Sequence, residues 1–142
     1  MLVGGLAYSY HVEARATEDI DFALSVDDFN EVHSRLVKNG FHDARNVMQF
    51  AQVRIGRCSK PIGKDLLVVD FLLLFEDVFE EMFQRKVEIL DEESGTKIPI
   101  ICPEDLVRLK RLRNSPQDQV DIDNLIKLNL DQGLLDGEDL DR

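Results

Sequence analysis

Residues 66–74 have the sequence LLVVDFLLL, which is the most apolar stretch of the chain. Its Val, Leu and Phe residues predict a β-strand that is covered on both faces. Asp70 lies inside this strand, where an unpaired carboxylate would cost several kcal/mol or become protonated. We therefore expect a compensating group: an arginine in a structural ion pair, a metal ion, or water in a cleft.

A second strand is predicted at residues 20–24, where Ile20, Phe22 and Leu24 alternate with acidic and small residues. Asp19 and Asp21 then leave the sheet on one face, with Cα atoms about 6.6 Å apart. The acid-x-acid triplet is no evidence by itself, because five occur in the chain, about the number expected by chance. The solvent face of an edge strand is the competing interpretation of this pair.

Three carboxylates facing one cleft would form a strongly negative pocket. Hard oxygen ligands favour Mg²⁺ or Mn²⁺, and two side chains at this separation can converge on ions about 3.5–4 Å apart. Asp19, Asp21 and Asp70 are therefore the candidate metal ligands.

The pair Gly4-Gly5 lies between a short strand at residues 2–3 and a predicted helix at residues 4–14. Adjacent glycines let backbone N–H groups approach a phosphate, and a helix N-terminus favours an anion. A plain turn is the alternative interpretation.

Outward from these stretches, the pattern predicts an α/β or α+β fold with one mixed sheet and helices. Ser25 and Asp28 have the spacing of a capping box before a helix that ends at Gly40. The remaining predicted elements are strands at 47–55 and at both ends of 86–101, and helices at 76–85, 103–114 and 116–129.

The composition is acidic, with 17 Lys and Arg against 28 Asp and Glu and a net charge of −11. This charge argues against extended DNA or RNA binding through a basic face, but it allows a small anion held through metal ions. Cys58 and Cys102 lack metal-ligand spacing. With no secretory leader and no apolar stretch near 20 residues, we expect a soluble cytoplasmic protein without a membrane span.

Gly4-Gly5, followed after thirteen residues by Asp19-Ile20-Asp21-Phe22, resembles the signature of polymerase-beta-like nucleotidyltransferases. The sequence Val69-Asp70-Phe71 matches the third acid of that family. The fuller pattern runs from Gly4-Gly5-Leu6-Ala7 through Arg15 and Thr17 to Asp19 and Asp21. Together with a segment from Leu109 to Leu125, it resembles minimal bacterial nucleotidyltransferases. Many of these belong to abortive-infection and toxin–antitoxin systems.

The resemblance implies a fold with a polymerase-beta-like core plus C-terminal helices. It also implies transfer of a nucleoside monophosphate from a nucleoside triphosphate, such as ATP, to an acceptor hydroxyl on a protein or RNA. Asp19, Asp21 and Asp70 would be catalytic and would bind Mg²⁺ or Mn²⁺. The nucleotide-binding residues implied are Gly4, Gly5, Arg15, Thr17 and Lys110. Of these, Thr17 is expected to orient the entry to the strand, and Lys110 is equally well interpreted as one more helix cation.

The resemblance touches most of residues 1–130, which we expect to form one minimal nucleotidyltransferase domain, followed by a flexible acidic tail at 131–142. Family members usually have a helix and a full strand before the glycine pair, where residues 1–3 stand here. Recognition of the acceptor is expected to come from a partner protein encoded by a neighbouring gene, a second copy, or the acceptor itself. The alternative function is a catalytically inactive member of the same fold that acts as a binding or regulatory partner.

Overall fold

The structure is a computed structural model that describes residues 1–43, 48–50 and 53–133. The predicted tail lies outside these ranges from residue 134 onward. The strands are β1 (Leu2–Val3), β2 (Asp19–Ser25), β3 (His42–Asp43), β4 (Met48–Phe50), β5 (Val53–Ile62), β6 (Asp65–Leu74), β7 (Val87–Leu90) and β8 (Lys97–Ile100). The helices are α1 (Gly4–His11), α2 (Phe29–Lys38), α3 (Glu76–Gln84), α4 (Pro103–Arg113) and α5 (Pro116–Asp131).

The described strands form one mixed sheet in the order β3-β5-β6-β2-β1-β8-β7, with β4 pairing to β5. β6 and β2 lie side by side in parallel near the centre, and β5 pairs with β6 as an antiparallel hairpin. The predicted mixed sheet with helices is confirmed. Because β2 has a partner on each side, its acid pair does not lie on an edge strand.

Alternation along β6 divides the core into two parts. Val69, Phe71 and Leu73 pack against α2 on one face of the sheet. Leu72 and Leu74 point to the other face, where α1, α3, α4 and α5 cover a larger apolar cluster. The prediction of a strand covered on both faces is confirmed from residue 67 onward, whereas Leu66 is 57% exposed. Asp70 belongs to the face beneath α1 and α4.

Most helix boundaries agree with the sequence pattern. Pro103 and Pro116 each begin a helix, since the first turn does not need their missing N–H groups. The helix predicted at 4–14 ends at His11. The capping box at Ser25 is wrong: Asp28 is the N-cap of α2 without a side-chain bond, and the Ser25 hydroxyl instead accepts from the Asp27 N–H.

The strand predicted at 47–55 is also wrong. Met48 pairs with Ile55, so this stretch contains two antiparallel strands, β4 and the start of β5. Residues 47, 51 and 52 lie outside the described ranges. β5 then continues to Ile62, although Gly56 and Pro61 lower its β propensity, because it pairs with β6 from Arg54 to Ile62.

No helix in the described ranges is long and apolar enough to cross a membrane. Cys58 and Cys102 are both buried free thiols.

Packing of α5 into the larger apolar cluster gives a first testable consequence. Leu125 is fully buried in the larger cluster, whereas Leu130 on the same helix is 44% exposed. We expect Leu125→Ala to lower the free energy of unfolding by about 2–5 kcal/mol, because it leaves a cavity. Leu130→Ala should change it by less than about 1 kcal/mol. Urea denaturation measures both, and equal losses would contradict the packing of α5.

Candidate functional site

The three predicted carboxylates come from the two central parallel strands. Asp21 on β2 lies directly beside Asp70 on β6 in the strand register, and Asp19 precedes Asp21 by two residues on the same face. The sheet thus brings together the three acids that the sequence proposed as one cluster.

The cation that compensates Asp70 is an arginine. Arg57 on β5 lies opposite Asp70, and its guanidinium donates to both carboxylate oxygens, Nε to Oδ1 and Nη2 to Oδ2, at 2.7 Å each. The same Nη2 lies 3.4 Å from Asp19 Oδ2. Two parallel bonds of this kind are the strongest arginine–carboxylate geometry. Of the compensating groups considered for Asp70, the structure therefore supplies the ion pair.

Asp21 receives no direct bond from Arg57. Burial raises the pKa of the Asp21 carboxyl above its usual value, and the charges of Asp70 and Asp19 raise it further. The Gly5 N–H and the Arg113 guanidinium act in the opposite direction without cancelling this rise. One guanidinium thus leaves an excess of negative charge among three acids.

The glycine pair lies against these acids at the start of α1. Gly4 has a φ of +67°, and a Cβ at this position would overlap the Asp21 carboxylate. A Cβ on Gly5 would lie 3.0 Å from Thr17 Oγ1. Both positions therefore need glycine for close approach of the chain, and Gly4 needs it for its conformation as well. Thr17 contacts the start of β2, where its hydroxyl donates to the Asp19 carbonyl oxygen at 3.1 Å.

A cavity of about 90 Å³ opens beside Gly4, Asp21 and Asp70. Its far wall carries charged residues of the two C-terminal helices, Lys110, Arg113 and Asp118, and aliphatic side chains complete the lining. The cavity therefore joins the acids of the two central strands to a wall that carries two cations and one acid.

Lys110 and Arg15, the two cations expected to contact the triphosphate, both bind Asp121 of α5. The Lys110 ammonium lies 2.6 Å from Asp121 Oδ2 and 3.5 Å from Asp118 Oδ1, and its side chain is 4% exposed. Arg15 Nη2 lies 2.8 Å from the same Asp121 oxygen. In this structure both cations stabilise the packing of α5 against the rest of the domain.

Arg113 is anchored by Asp118 at the start of α5. The guanidinium donates to both Asp118 oxygens at 2.6 Å, and Asp118 also completes a capping box with Ser115. Although burial alone would raise the pKa of Asp118, the hydrogen bonds from Arg113 and Ser115 hold it well below its usual range. This arrangement keeps one guanidinium at the cavity wall.

A divalent ion fits the ligand type of the three acids, since all are hard oxygen donors on one face of neighbouring strands. Yet no group of three His, Cys, Asp or Glu residues in the described ranges is arranged to hold a metal ion. Arg57 takes the place that a cation would need between Asp70 and Asp19. The acids would fit a metal ion only after that guanidinium moves away.

A scan against protein-family models and a search of curated proteins each found no match for this chain.

Arg57, Arg113, Asp118 and Asp121 belong to this region without having been predicted as site residues. The signal for Arg57 lies in the sequence between β5 and β6, where Gly63-Lys64 can form a two-residue hairpin turn. A hairpin centred on that turn places residue 57 opposite residue 70. The other three lie in the C-terminal segment quoted for the family resemblance.

The contacts of Asp121 predict a strong effect on stability. Asp121→Asn should lower the free energy of unfolding by about 3–5 kcal/mol, because it leaves the buried Lys110 ammonium without its nearest charge partner. Asp123→Asn, at an exposed position of the same helix, should change it by about 0.5 kcal/mol or less. Chemical denaturation compares the two, and similar values would contradict a structural role of Asp121.

The negative charges around Asp21 predict that removing the Asp21 charge raises the stability of the fold, the opposite of the effect expected at Asp121. A carboxyl whose pKa is raised on folding opposes folding when it ionises, so Asp21→Asn should unfold at a higher temperature than wild type at pH 7. The difference should shrink as the pH falls through the raised pKa of the folded carboxyl, and it should vanish below about 4, where the carboxyl is protonated in the unfolded chain too. Thermal unfolding across this pH range checks it, with Asp123→Asn as the exposed control. A destabilised Asp21→Asn at pH 7 would contradict the crowding.

Proposed function

We propose that this protein is a metal-dependent nucleotidyltransferase that moves a nucleoside monophosphate from a nucleoside triphosphate to an acceptor hydroxyl on a protein or an RNA. The observation that carries the proposal is the convergence of Asp19, Asp21 and Asp70 beside Gly4-Gly5 at the start of α1. The polymerase-beta-like fold is part of the same proposal. It is supported by the glycine pair, the acid pair on the next strand and the third acid on the parallel neighbour.

Asp19 and Asp21 would hold two ions, with Asp70 completing the second position. Bound Mg²⁺ or Mn²⁺ would neutralise charge on the triphosphate and activate the acceptor hydroxyl. The chain itself would contribute the backbone N–H groups of the glycine pair, which suit phosphate oxygens at a helix N-terminus. Asp70 would face the acceptor and could accept its proton.

The cations of the cavity wall would help to hold the negatively charged nucleotide. Arg113 is fixed by Asp118 but its side chain remains 56% exposed, so it can offer further N–H donors to a phosphate. Lys110 would act through its positive charge without a direct bond to phosphate, because its ammonium stays bound to Asp121. In this proposal Arg15 contributes by supporting Asp121.

This activity would suit a toxin–antitoxin or phage-defence context in the cytoplasm, where nucleoside triphosphates and acceptor RNA are abundant. The acceptor would be recognised with help from a partner protein or by the acceptor's own shape.

A second candidate function is carried by Arg57. Its paired bonds to Asp70 favour a catalytically inactive member of the same fold that acts as a binding or regulatory partner. Such a protein would show no thermal shift with Mg²⁺ and a triphosphate, and it would form a stoichiometric complex with another protein.

Transfer of label from nucleotides distinguishes the two. Purified protein is incubated with Mn²⁺ or Mg²⁺, cell extract and each nucleoside triphosphate, labelled either at the α or at the γ phosphate. We expect label from the α position to enter protein or RNA and label from the γ position to be released, because pyrophosphate is the leaving group. Asp21→Ala should reduce incorporation by about 100-fold or more.

Asp123→Ala is the matched control, since Asp123 is the exposed acid of another acid-x-acid triplet, residues 121–123 on α5. It should incorporate label at the wild-type rate. Absence of label with every nucleotide, or undiminished label with Asp21→Ala, would exclude the proposed transfer and favour the inactive partner.

A further inference from the structure

We propose that Arg57 is a built-in counter-cation that holds the acid cluster when no metal is bound and must withdraw before a divalent ion can bind. The inference rests on the proposed function, because it concerns how this chain regulates access to the same three acids. It makes binding of the metal a competition between a side chain of the protein and the ion.

The geometry of the guanidinium is the first argument. Arg57 engages both oxygens of Asp70 and also approaches Asp19, so one cation spans two of the three acids. A divalent ion between Asp70 and Asp19 would lie within a few ångströms of this positive charge. The repulsion between them would be strong in a partly buried cleft.

The two partners of this ion pair differ in burial. The Asp70 side chain is 12% exposed and fixed on a central strand, whereas that of Arg57 is 36% exposed. A long arginine can swing its head into water while its stem stays on the sheet, but the carboxylate cannot follow. Arg57 can therefore withdraw, and the acids are left in place for the ion.

The charges of the cluster also favour the exchange. One guanidinium faces three carboxylates, because Asp21 lies beside Asp70 and two residues from Asp19 on the same face of β2. Replacing the guanidinium by an ion of charge +2 would relieve this excess more fully. The exchange therefore has a driving force in the right direction, opposed by the loss of the two bonds to Asp70.

Binding of Mn²⁺ tests the inference without any assay of activity. The free ion is measured by electron paramagnetic resonance during titration of wild type, Arg57→Ala, Arg57→Lys and Arg54→Ala. Arg54 lies on β5 three residues away, hence on the opposite face, and controls for the loss of one positive charge. We expect Arg57→Ala to bind Mn²⁺ about tenfold tighter than Arg54→Ala, with Arg57→Lys between them because it loses the paired geometry.

Thermal unfolding supplies a second readout. In a chelator, Arg57→Ala should unfold at a lower temperature than wild type, because Asp70 loses its partner, and Mn²⁺ should restore more stability to this variant than to wild type. If Arg57→Ala does not fold, Arg57→Lys keeps the charge and should still bind Mn²⁺ more tightly than Arg54→Ala.

The outcomes separate the two proposals. Equal Mn²⁺ affinity in wild type, Arg57→Lys and Arg57→Ala would overturn the role of Arg57 and leave the proposed function standing. Binding by Arg57→Ala alone would support the role of Arg57 and show that Arg57 prevents Mn²⁺ from binding to the wild type. Absence of binding in every folded variant would overturn both.

Discussion

The burial of one carboxylate constrains the whole arrangement. Asp70 stands in the most apolar strand of the chain, at the centre of the sheet, so its charge must be balanced by a group that the fold can deliver there. The hairpin of β5 and β6 places Arg57 directly opposite Asp70, and the guanidinium donates two hydrogen bonds of 2.7 Å to the carboxylate. The same strand pairing fixes Asp70 beside Asp21, so the ion pair and the acid cluster follow from one register.

A second set of charges joins the C-terminal helices to this centre. Asp121 accepts bonds from Lys110 and Arg15, and Asp118 accepts from Arg113. These pairs connect α4, α5 and the loop before β2 around one cavity, where the acids of the sheet face the cations of the helices. These pairs balance the buried acids of α5, whereas among the three acids of the sheet Arg57 binds Asp70 and Asp19 but not Asp21.

Strong local signals predicted much of this fold. The apolar run at 66–74 predicted the strand β6, and the prolines at 103 and 116 predicted where α4 and α5 begin. The acid cluster also followed from sequence, because alternation within a strand places Asp19 and Asp21 on one face.

The partner of Asp70 could not be predicted from sequence, since it depends on pairing between strands. Residues 53–62 contain Gly56 and Pro61, whose weak β propensity hides the strand that carries Arg57. Ser25 failed as a helix cap because β2 continues through it.

We propose that Asp19, Asp21 and Asp70 form a cation site from which Arg57 must withdraw before a metal ion binds. A crystal structure of the protein with Mn²⁺ and a non-hydrolysable nucleoside triphosphate, with anomalous scattering collected for manganese, tests it most directly. The account predicts manganese peaks between Asp19, Asp21 and Asp70, a triphosphate next to Gly4-Gly5, and an Arg57 side chain withdrawn from Asp70. A map without manganese at these acids, in which Arg57 still binds Asp70, would contradict it.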